Sequence, residues 1–197
     1  WYTGKTLFNT LDGLNPPKRD EEGPVRIPVM DRYKDGGQLF VHGKVESGTI
    51  VPGSQLTAVP IGDALTVVSI QNTEDKKIPY AKPGESIRIQ VKGSDDERIT
   101  RGDIVCSTYD FCQVCYVMEC ELSVLELPDH KPIMSSGYQC VMHMHAALEE
   151  VYIKEIVSET DKKSGDAKKA RFLRNGSVGV VRIEGLNQAL CCEKFES

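Results

Sequence analysis

The clearest structural pattern in the chain is the stretch Gln113-Val-Cys-Tyr-Val-Met-Glu-Cys-Glu-Leu-Ser-Val124. Its even positions are all apolar from Val114 to Val124, whereas Glu119, Glu121 and Ser123 stand at odd positions. Successive side chains of a strand point to opposite faces, so this period of two is typical of a strand with one buried face. The stretch therefore predicts a half-buried β-strand near the middle of the chain.

Shorter strand-like runs precede this stretch at near-regular spacing. They lie at 25–29, 39–45, 55–60, 66–70, 86–91 and 104–106, and pairs such as Ser47-Gly48, Pro52-Gly53 and Pro83-Gly84 mark turns between them. Many short strands separated by turns are typical of a closed barrel or a sandwich. After residue 124, further strands are predicted at 177–183 and 189–195, so the whole chain reads as all-β.

The run at 139–159 is ambiguous, because it contains neither Gly nor Pro and its centre, Ala146-Ala147-Leu148-Glu149-Glu150, favours a helix. Two strands are the preferred interpretation. The β-branched pair Val151 and Ile153 supports it, and so does an apolar alternation over Cys140, Met142, Met144, Ala146 and Leu148.

The first residues follow a different pattern. Leu7, Phe8, Leu11 and Leu14 share one face at helical spacing, and Gly13 with the prolines at 16–17 ends that helix. The organisation predicted is a helix and linker at 1–22, a first β-barrel at 23–109 and a second β-barrel at 110–197. The absence of an initial Met suggests a piece of a longer protein, in which a preceding segment would cover the helix.

Composition excludes several classes of function. The 197 residues carry 24 basic and 29 acidic side chains, a net charge of −5, so any contact with nucleic acid must come from a local basic patch. No apolar run approaches the ~18 residues of a membrane helix, which predicts a soluble protein with no membrane partner. Seven cysteines without a signal peptide predict free thiols in a reducing cytoplasm.

Two cysteine-containing pairs have the spacing of zinc ligands. They are Cys112 with Cys115, and Cys140 with His143. A gap of two residues places its ends on opposite faces of a strand, and neither pair encloses the glycine turn that would bring them together. Small buried thiols are therefore the preferred interpretation, and a zinc-stabilised structural module is the alternative.

His143 and His145 are expected on the same face of a strand, where they would form a metal site, a pH-sensitive pair or part of a partner surface. A partner surface is preferred, because no third ligand or paired carboxylate is evident. The Gly48–Gly53 segment has the frame of a phosphate loop but lacks the Lys that follows it, and Pro52 removes a backbone donor. No convincing catalytic constellation is found.

A basic cluster lies near the end of the chain. It consists of Lys162, Lys163, Lys168, Lys169, Arg171 and Arg174, opposed by Asp161 and Asp166. Such a cluster contacts phosphates in many RNA-binding proteins, but a solvated hairpin tip explains it equally well.

Several motifs in order resemble the translational GTPases. Trp1-Tyr2-x-Gly4-x-x-Leu7 resembles the end of their GTPase domain, and Gly43-Lys-Val-Glu-Ser-Gly48 resembles an element of their second domain. Gly137-Tyr138, His143-x-His145, Asp161-Lys-Lys-Ser-Gly165 and Cys192-Glu193-x-Phe195 resemble the third domain. The His-x-His string and the Asp-Lys-Lys-Ser-Gly string are most similar to the eukaryotic class-II peptide chain release factors. Ribosome-rescue GTPases of the no-go pathway and elongation factors that carry aminoacyl-tRNA are alternatives.

The resemblance implies two β-barrels, domains 2 and 3, that do not hydrolyse GTP. GTP and Mg²⁺ would bind to the GTPase domain of the full-length protein, and this part would have no cofactor. The implied partners are a class-I release factor, at a surface including Tyr138, His143 and His145, and small-subunit ribosomal RNA, near Lys44 and the basic cluster. The family normally continues beyond Phe195 into a strand that closes the third domain, so an incomplete second barrel is expected.

Overall fold

The computed structural model describes residues 1–15, 17–95, 97–161 and 165–195. It is almost entirely β, which confirms the predicted fold class. The elements in chain order are α1 (Leu7–Asp12), β1 (Arg26–Asp35), β2 (Gln38–Lys44), β3 (Gln55–Val59), β4 (Asp63–Gln71), β5 (Lys77–Ile78), β6 (Ser86–Lys92), β7 (Ile104–Ser107), β8 (Val114–Cys115), β9 (Val117–Ser123), β10 (Met134–Ser135), β11 (Gln139–Met144), β12 (Ala147–Thr160), β13 (Ala167–Lys168), β14 (Phe172–Leu173), β15 (Val178–Gly185) and β16 (Leu190–Cys191).

The helix α1 forms where the apolar spacing predicts it. The side chain of Thr6 caps its start by accepting from the backbone N–H of Asn9 at 3.2 Å, and Gly13 ends it. Its apolar side chains Leu7, Phe8 and Leu11 are all exposed. The helix therefore draws its local stability from its caps and not from a packed apolar face.

In the first half of the chain, six of the strands that the structure describes close into a barrel. The order is β3-β7-β1-β2-β6-β4, and β4 pairs back with β3, while β5 pairs with the other end of β4, on the edge opposite to β6. Alternate side chains point into the barrel and form its core, with Ile27, Val41, Leu65 and Ile89 fully buried. The turn spacing left a barrel or a sandwich open, and the structure confirms the barrel that the family resemblance implied.

The second half is built on the long strand β12. Its main sheet has the order β11-β12-β15-β9, with β13 also paired to β12. Two small sheets, β10-β14 and β8-β16, accompany it. Within the described residues, β9 and β11 stand at the ends of the main path and are not paired to each other, so this sheet does not close. That the second barrel is incomplete at its C-terminal end stays a prediction.

The decisive stretch at 113–124 forms two strands rather than one. In β9, the even residues Met118, Cys120 and Leu122 pack against the second core and the odd residues are exposed, as the alternation predicts. The chain breaks at Tyr116, however, and β8 pairs with β16 instead of continuing the main sheet. The prediction of a single strand was wrong because a distant segment supplies the partner of Val114 and Cys115.

The ambiguous run at 139–159 is a β-hairpin, which confirms the two-strand interpretation. Met144 pairs with Ala147, so the turn consists of His145 and Ala146. This turn ends the alternation, because Leu148 faces His143 on the exposed side of the hairpin.

A third apolar cluster joins the two halves. It contains Val59, Ile104 and Cys106 of the barrel, Cys112 of the connecting segment and Cys191 of β16. The division at residues 22/23 and 109/110 stays a prediction. No helix in the described ranges is long and apolar enough to cross a membrane.

Candidate functional site

A groove runs between the two halves of the molecule. Its cavity measures about 420 Å³, and Arg26, Glu46, His145, Glu193 and Phe195 contribute to its walls. A smaller recess of about 170 Å³ shares Pro28, Glu46 and His145 with it and adds Lys44 and Arg101. We call these two connected hollows the interdomain groove.

Arg26 holds the floor of the interdomain groove in place. Its side chain, only 8% exposed, donates from Nε and Nη2 to Glu193 Oε1 at 2.8 and 2.5 Å, and from Nη2 to Asp110 Oδ1 at 3.0 Å. Burial acts to lower the pKa of Arg26, but the hydrogen bonds to Glu193 and Asp110 outweigh it and raise the pKa. One side chain of the barrel thereby links Asp110, in the segment that connects the two halves, to Glu193, in the C-terminal segment.

Sequence reasoning missed this role of Arg26. In an alternating strand, Arg26 stands between the core residues Val25 and Ile27 and is expected to face solvent. The outward face of β1 is covered here by residues 110 and 193, so Arg26 is buried as well. The only sequence signal was an arginine at the very start of a strand.

A direct backbone contact reinforces this arrangement beside the recess. Arg101 Nε donates to the carbonyl of Ala146 at 3.0 Å. Gly102, with φ +98°, lies against Ala147, so closely that an added Cβ would come 2.9 Å from Ala147 Cα. The hairpin turn of the second half is therefore seated directly on the barrel.

Two buried carboxylates lie at the same junction. Asp103 accepts a hydrogen bond from the N–H of Thr100 at 2.6 Å, and Glu149 is bonded to Gln188. Burial raises the pKa of Asp103 above its usual value, although the Thr100 hydrogen bonds act against this. Sequence reasoning assigned neither carboxylate to a site, although Asp103 stands in Arg101-Gly102-Asp103-Ile104, a string that resembles the translational GTPases.

The predicted partner residues are only partly brought together. His145 is exposed and lies in the hairpin turn with φ +50°, so it does not share a strand face with His143. His143 is exposed on β11, and Tyr138 lies before the other end of that strand, about 20 Å from His145 at a rise of ~3.3 Å per residue. Tyr138 is half-buried against the second core, with Lys131 over its ring.

Lys44 does lie near His145, because both line the smaller recess. Its Nζ is 3.1 Å from Glu46 Oε1, and both side chains are partly exposed. The structure thus places one predicted RNA contact and one predicted partner contact in the interdomain groove.

The basic cluster lies elsewhere. Lys162 and Lys163 fall outside the described residues. Lys168 forms an ion pair with Asp161 at 3.7 Å and lines a separate hollow of about 410 Å³. Lys169 and Arg171 are exposed, and Arg174 stacks on Phe172. This surface is not continuous with the lining of the interdomain groove.

The four zinc candidates are dispersed. Cys112 is buried in the third apolar cluster, Cys115 lies in β8, and Cys140 packs against the second core on the face of β11 opposite to His143. Within the part of the chain that the structure describes, no group of three or more His, Cys, Asp or Glu side chains is arranged to hold a metal ion.

The Gly48–Gly53 segment has the wrong geometry for a phosphate loop. A phosphate cradle needs backbone N–H groups that point toward the ligand. Here the N–H of Gly48 bonds to Asp20, that of Ile50 to Ala81 and that of Gly53 to Val67. These donors are used within the protein, two of them inside the barrel and one toward the preceding linker.

Comparison with known proteins gives a consistent assignment. Residues 118–197 match the family model "GTP-eEF1A C-terminal domain-like". Over the whole chain, the "Eukaryotic peptide chain release factor GTP-binding subunit" of Schizosaccharomyces pombe is 30% identical, and 29% of its length is covered. "Elongation factor 1-alpha" of Pyrobaculum aerophilum is 34% identical over 99% of this chain and 44% of its own length.

Solved structures agree with these sequence matches. The crystal structure of sup35 complexed with GDP superposes on 100% of this chain and 47% of its own with a TM-score of 0.82, at 30% identity. The elongation factor SelB of Methanococcus maripaludis has a TM-score of 0.73 at 18% identity and supports the fold alone. The chain thus spans less than half the length of each of these relatives.

Proposed function

We propose that the chain, which is similar over its whole length to release factor GTP-binding subunits and elongation factors among the translational GTPases, serves translation termination. In this proposal it binds a class-I release factor and the small ribosomal subunit, and it promotes GTP-dependent peptide release at stop codons. Such work belongs to the cytoplasm, where ribosomes translate.

The observation that carries the proposal is the interdomain groove. His145 and Lys44, assigned to two different partners by sequence, line one recess, and the hydrogen bond from Arg101 to Ala146 joins the two halves at its wall. Arg26 holds the adjoining hollow through Glu193. A rigid surface shared by both halves suits a protein that holds one factor while it rests on another, because preorganisation lowers the entropic cost of binding.

We assign no GTP hydrolysis to residues 1–197. The internal hydrogen bonding of the Gly48–Gly53 segment supports this, and so does the lack of the Lys of a phosphate loop. GTP and Mg²⁺ are expected to bind to a GTPase domain outside these residues.

A binding measurement with a purified class-I release factor tests the proposal. Immobilised chain should retain the factor, and replacing His143 and His145 together by Ala should weaken the affinity at least several-fold. His130→Ala is the matched control, because His130 is an exposed histidine of the same half that lies outside the groove. Failure of the unaltered chain to bind, or equal binding by the double variant, contradicts the assignment.

An elongation factor of the type that carries aminoacyl-tRNA is the second candidate. The 34% identity to the archaeal elongation factor 1-alpha favours it, since this value exceeds the 30% identity to the fission yeast release factor subunit. Aminoacyl-tRNA offered in place of the class-I release factor separates the two candidates. Binding of the tRNA alone would select the elongation factor.

A further inference from the structure

Two of the seven thiols lie in direct contact. Cys115 Sγ and Cys192 Sγ are 3.3 Å apart, although the residues are 77 positions apart in sequence. The antiparallel pairing of β8 and β16 causes this approach, because Leu190 pairs with Cys115 and the N–H of Cys192 bonds to Gln113 at 3.0 Å. Cys115 and Cys192 therefore emerge on the same face of this small sheet as diagonal neighbours.

Solvent can reach this pair. Cys115 and Cys192 are both partly exposed, and Cys192 contributes to the lining of the interdomain groove. The neighbouring thiols Cys106, Cys112 and Cys191 are buried. Cys112 and Cys191 also line the groove, but they are only 3% and 6% exposed, so Cys192 is the most accessible of these three thiols to a small water-soluble oxidant.

We propose that Cys115 and Cys192 are a modification site at which a peroxide forms a disulfide. One thiolate attacks the peroxide, the O–O bond breaks, and a sulfenic acid and hydroxide form. The second thiolate then attacks the sulfenic sulfur, the S–S bond forms and hydroxide leaves. In sum, two thiols and one hydrogen peroxide give one disulfide and two molecules of water, with sulfur oxidised and oxygen reduced.

The required movement is small. The two sulfurs are 3.3 Å apart and a disulfide has an S–S distance of ~2.05 Å, so they must approach by about 1.3 Å. Diagonal neighbours on paired strands lie roughly 7–8 Å apart, so a small backbone shift must accompany the side-chain rotation. Burial and the contact with Cys115 raise the pKa of Cys192 to about 12. Since the thiolate is the reactive species, the reaction is expected to be slow at neutral pH and to accelerate as the pH rises.

The disulfide would have a structural consequence at the groove. Glu193, the residue after Cys192, receives the two shortest hydrogen bonds of Arg26. A bond from Cys115 to Cys192 would fix the segment that carries Glu193 to strand β8. The crosslink would also restrict the unfolded chain, because it closes a long loop.

Oxidation of the chain with hydrogen peroxide, followed by mass spectrometry, tests this site. The expected product has lost two hydrogen atoms, yields a peptide joining Cys115 to Cys192, and returns to its first mass with dithiothreitol. Its thermal midpoint should lie above that of the reduced chain. Cys115→Ser and Cys192→Ser should each abolish the crosslink and the thermal shift, whereas Cys120→Ser, which removes another partly exposed thiol, should keep both.

Three outcomes would overturn the proposal. They are addition of oxygen without a crosslink, a crosslink between other cysteines, and a crosslink that survives in Cys115→Ser. The peptide map of the unaltered chain decides the matter even if a serine variant folds poorly.

Discussion

Arg26 and Glu193 are 167 positions apart, yet Nε and Nη2 of Arg26 both donate to one oxygen, Glu193 Oε1, at 2.8 and 2.5 Å. Arg26 is almost fully buried, whereas Glu193 is about half exposed, at 47%. The pair links the first strand of the barrel to the last described segment of the chain, and it helps to set the shape of the interdomain groove.

Arg26→Ala should lower the free energy of unfolding by about 2 kcal/mol, because a buried charge-assisted network loses its donor and leaves a void. Urea denaturation measures this loss. Arg182→Ala is the control, since Arg182 pairs with Glu119 and Glu155 on an exposed surface and should cost no more than about 0.5 kcal/mol. Equal losses of unfolding free energy in the two variants would show that the buried Arg26 network stabilises the protein no more than an exposed ion pair does.

Gly102→Ala should lower the thermal stability of the protein, because it disturbs the contact between the β11–β12 hairpin and the barrel. The new Cβ would meet Ala147 at 2.9 Å, and the φ of +98° is unfavourable for any other residue. Gly53→Ala has a similar φ of +91° but meets nothing within 4 Å, so it isolates the cost of the backbone conformation, about 1 kcal/mol. A midpoint of thermal unfolding no lower for Gly102→Ala than for Gly53→Ala would refute the close contact.

Asp103 should make stability depend on pH. Its pKa is raised in the folded state from the usual 3.8, chiefly by burial. The folded state therefore binds the proton more tightly than the unfolded chain, so the stabilisation is complete below the unfolded pKa and is lost as the pH rises through the folded pKa. The D103N variant cannot ionise at this position. As the pH rises through the folded pKa of Asp103, the variant's free energy of unfolding should therefore increase relative to that of the unaltered chain.

Denaturant midpoints from about pH 3.5 to pH 7 follow this difference across the range in which carboxyl groups titrate. Asp129→Asn, at an exposed position, is the control for replacing a carboxylate by an amide. A D103N difference that stays constant with pH would mean that Asp103 keeps its ordinary titration.

Lys44→Ala should weaken binding to small ribosomal subunits and reduce the slope of log affinity against log salt by about one, if Lys44 neutralises a phosphate. Binding at several salt concentrations measures both effects. Lys77→Ala removes an exposed lysine on β5, away from the groove lining, and should leave the slope unchanged. An identical slope in the Lys44 variant would remove Lys44 from the RNA surface.

Much of the fold followed from local sequence patterns. The alternation around Met118 and Cys120 correctly predicted which face of β9 is buried, and the spacing of turns predicted the strands of the barrel. Pro52, which removes a backbone donor, and the missing Lys argue against a phosphate loop from sequence alone, and the hydrogen bonds of the segment lead to the same conclusion. The His145 prediction failed in one respect, because strand parity does not reveal where a two-residue turn interrupts a strand.

The sequence by itself determined most strands of the barrel, the buried face of β9 and the family motifs, because the period of two and the conformational demands of Gly and Pro act over a few neighbouring residues. Only the tertiary structure decided that Arg26 is buried, that His145 and Lys44 share a recess and that Cys115 meets Cys192. Those contacts join residues far apart in the chain. The pairing of distant strands depends on the free energy gained when both halves are buried together. A local sequence pattern does not reveal that free energy.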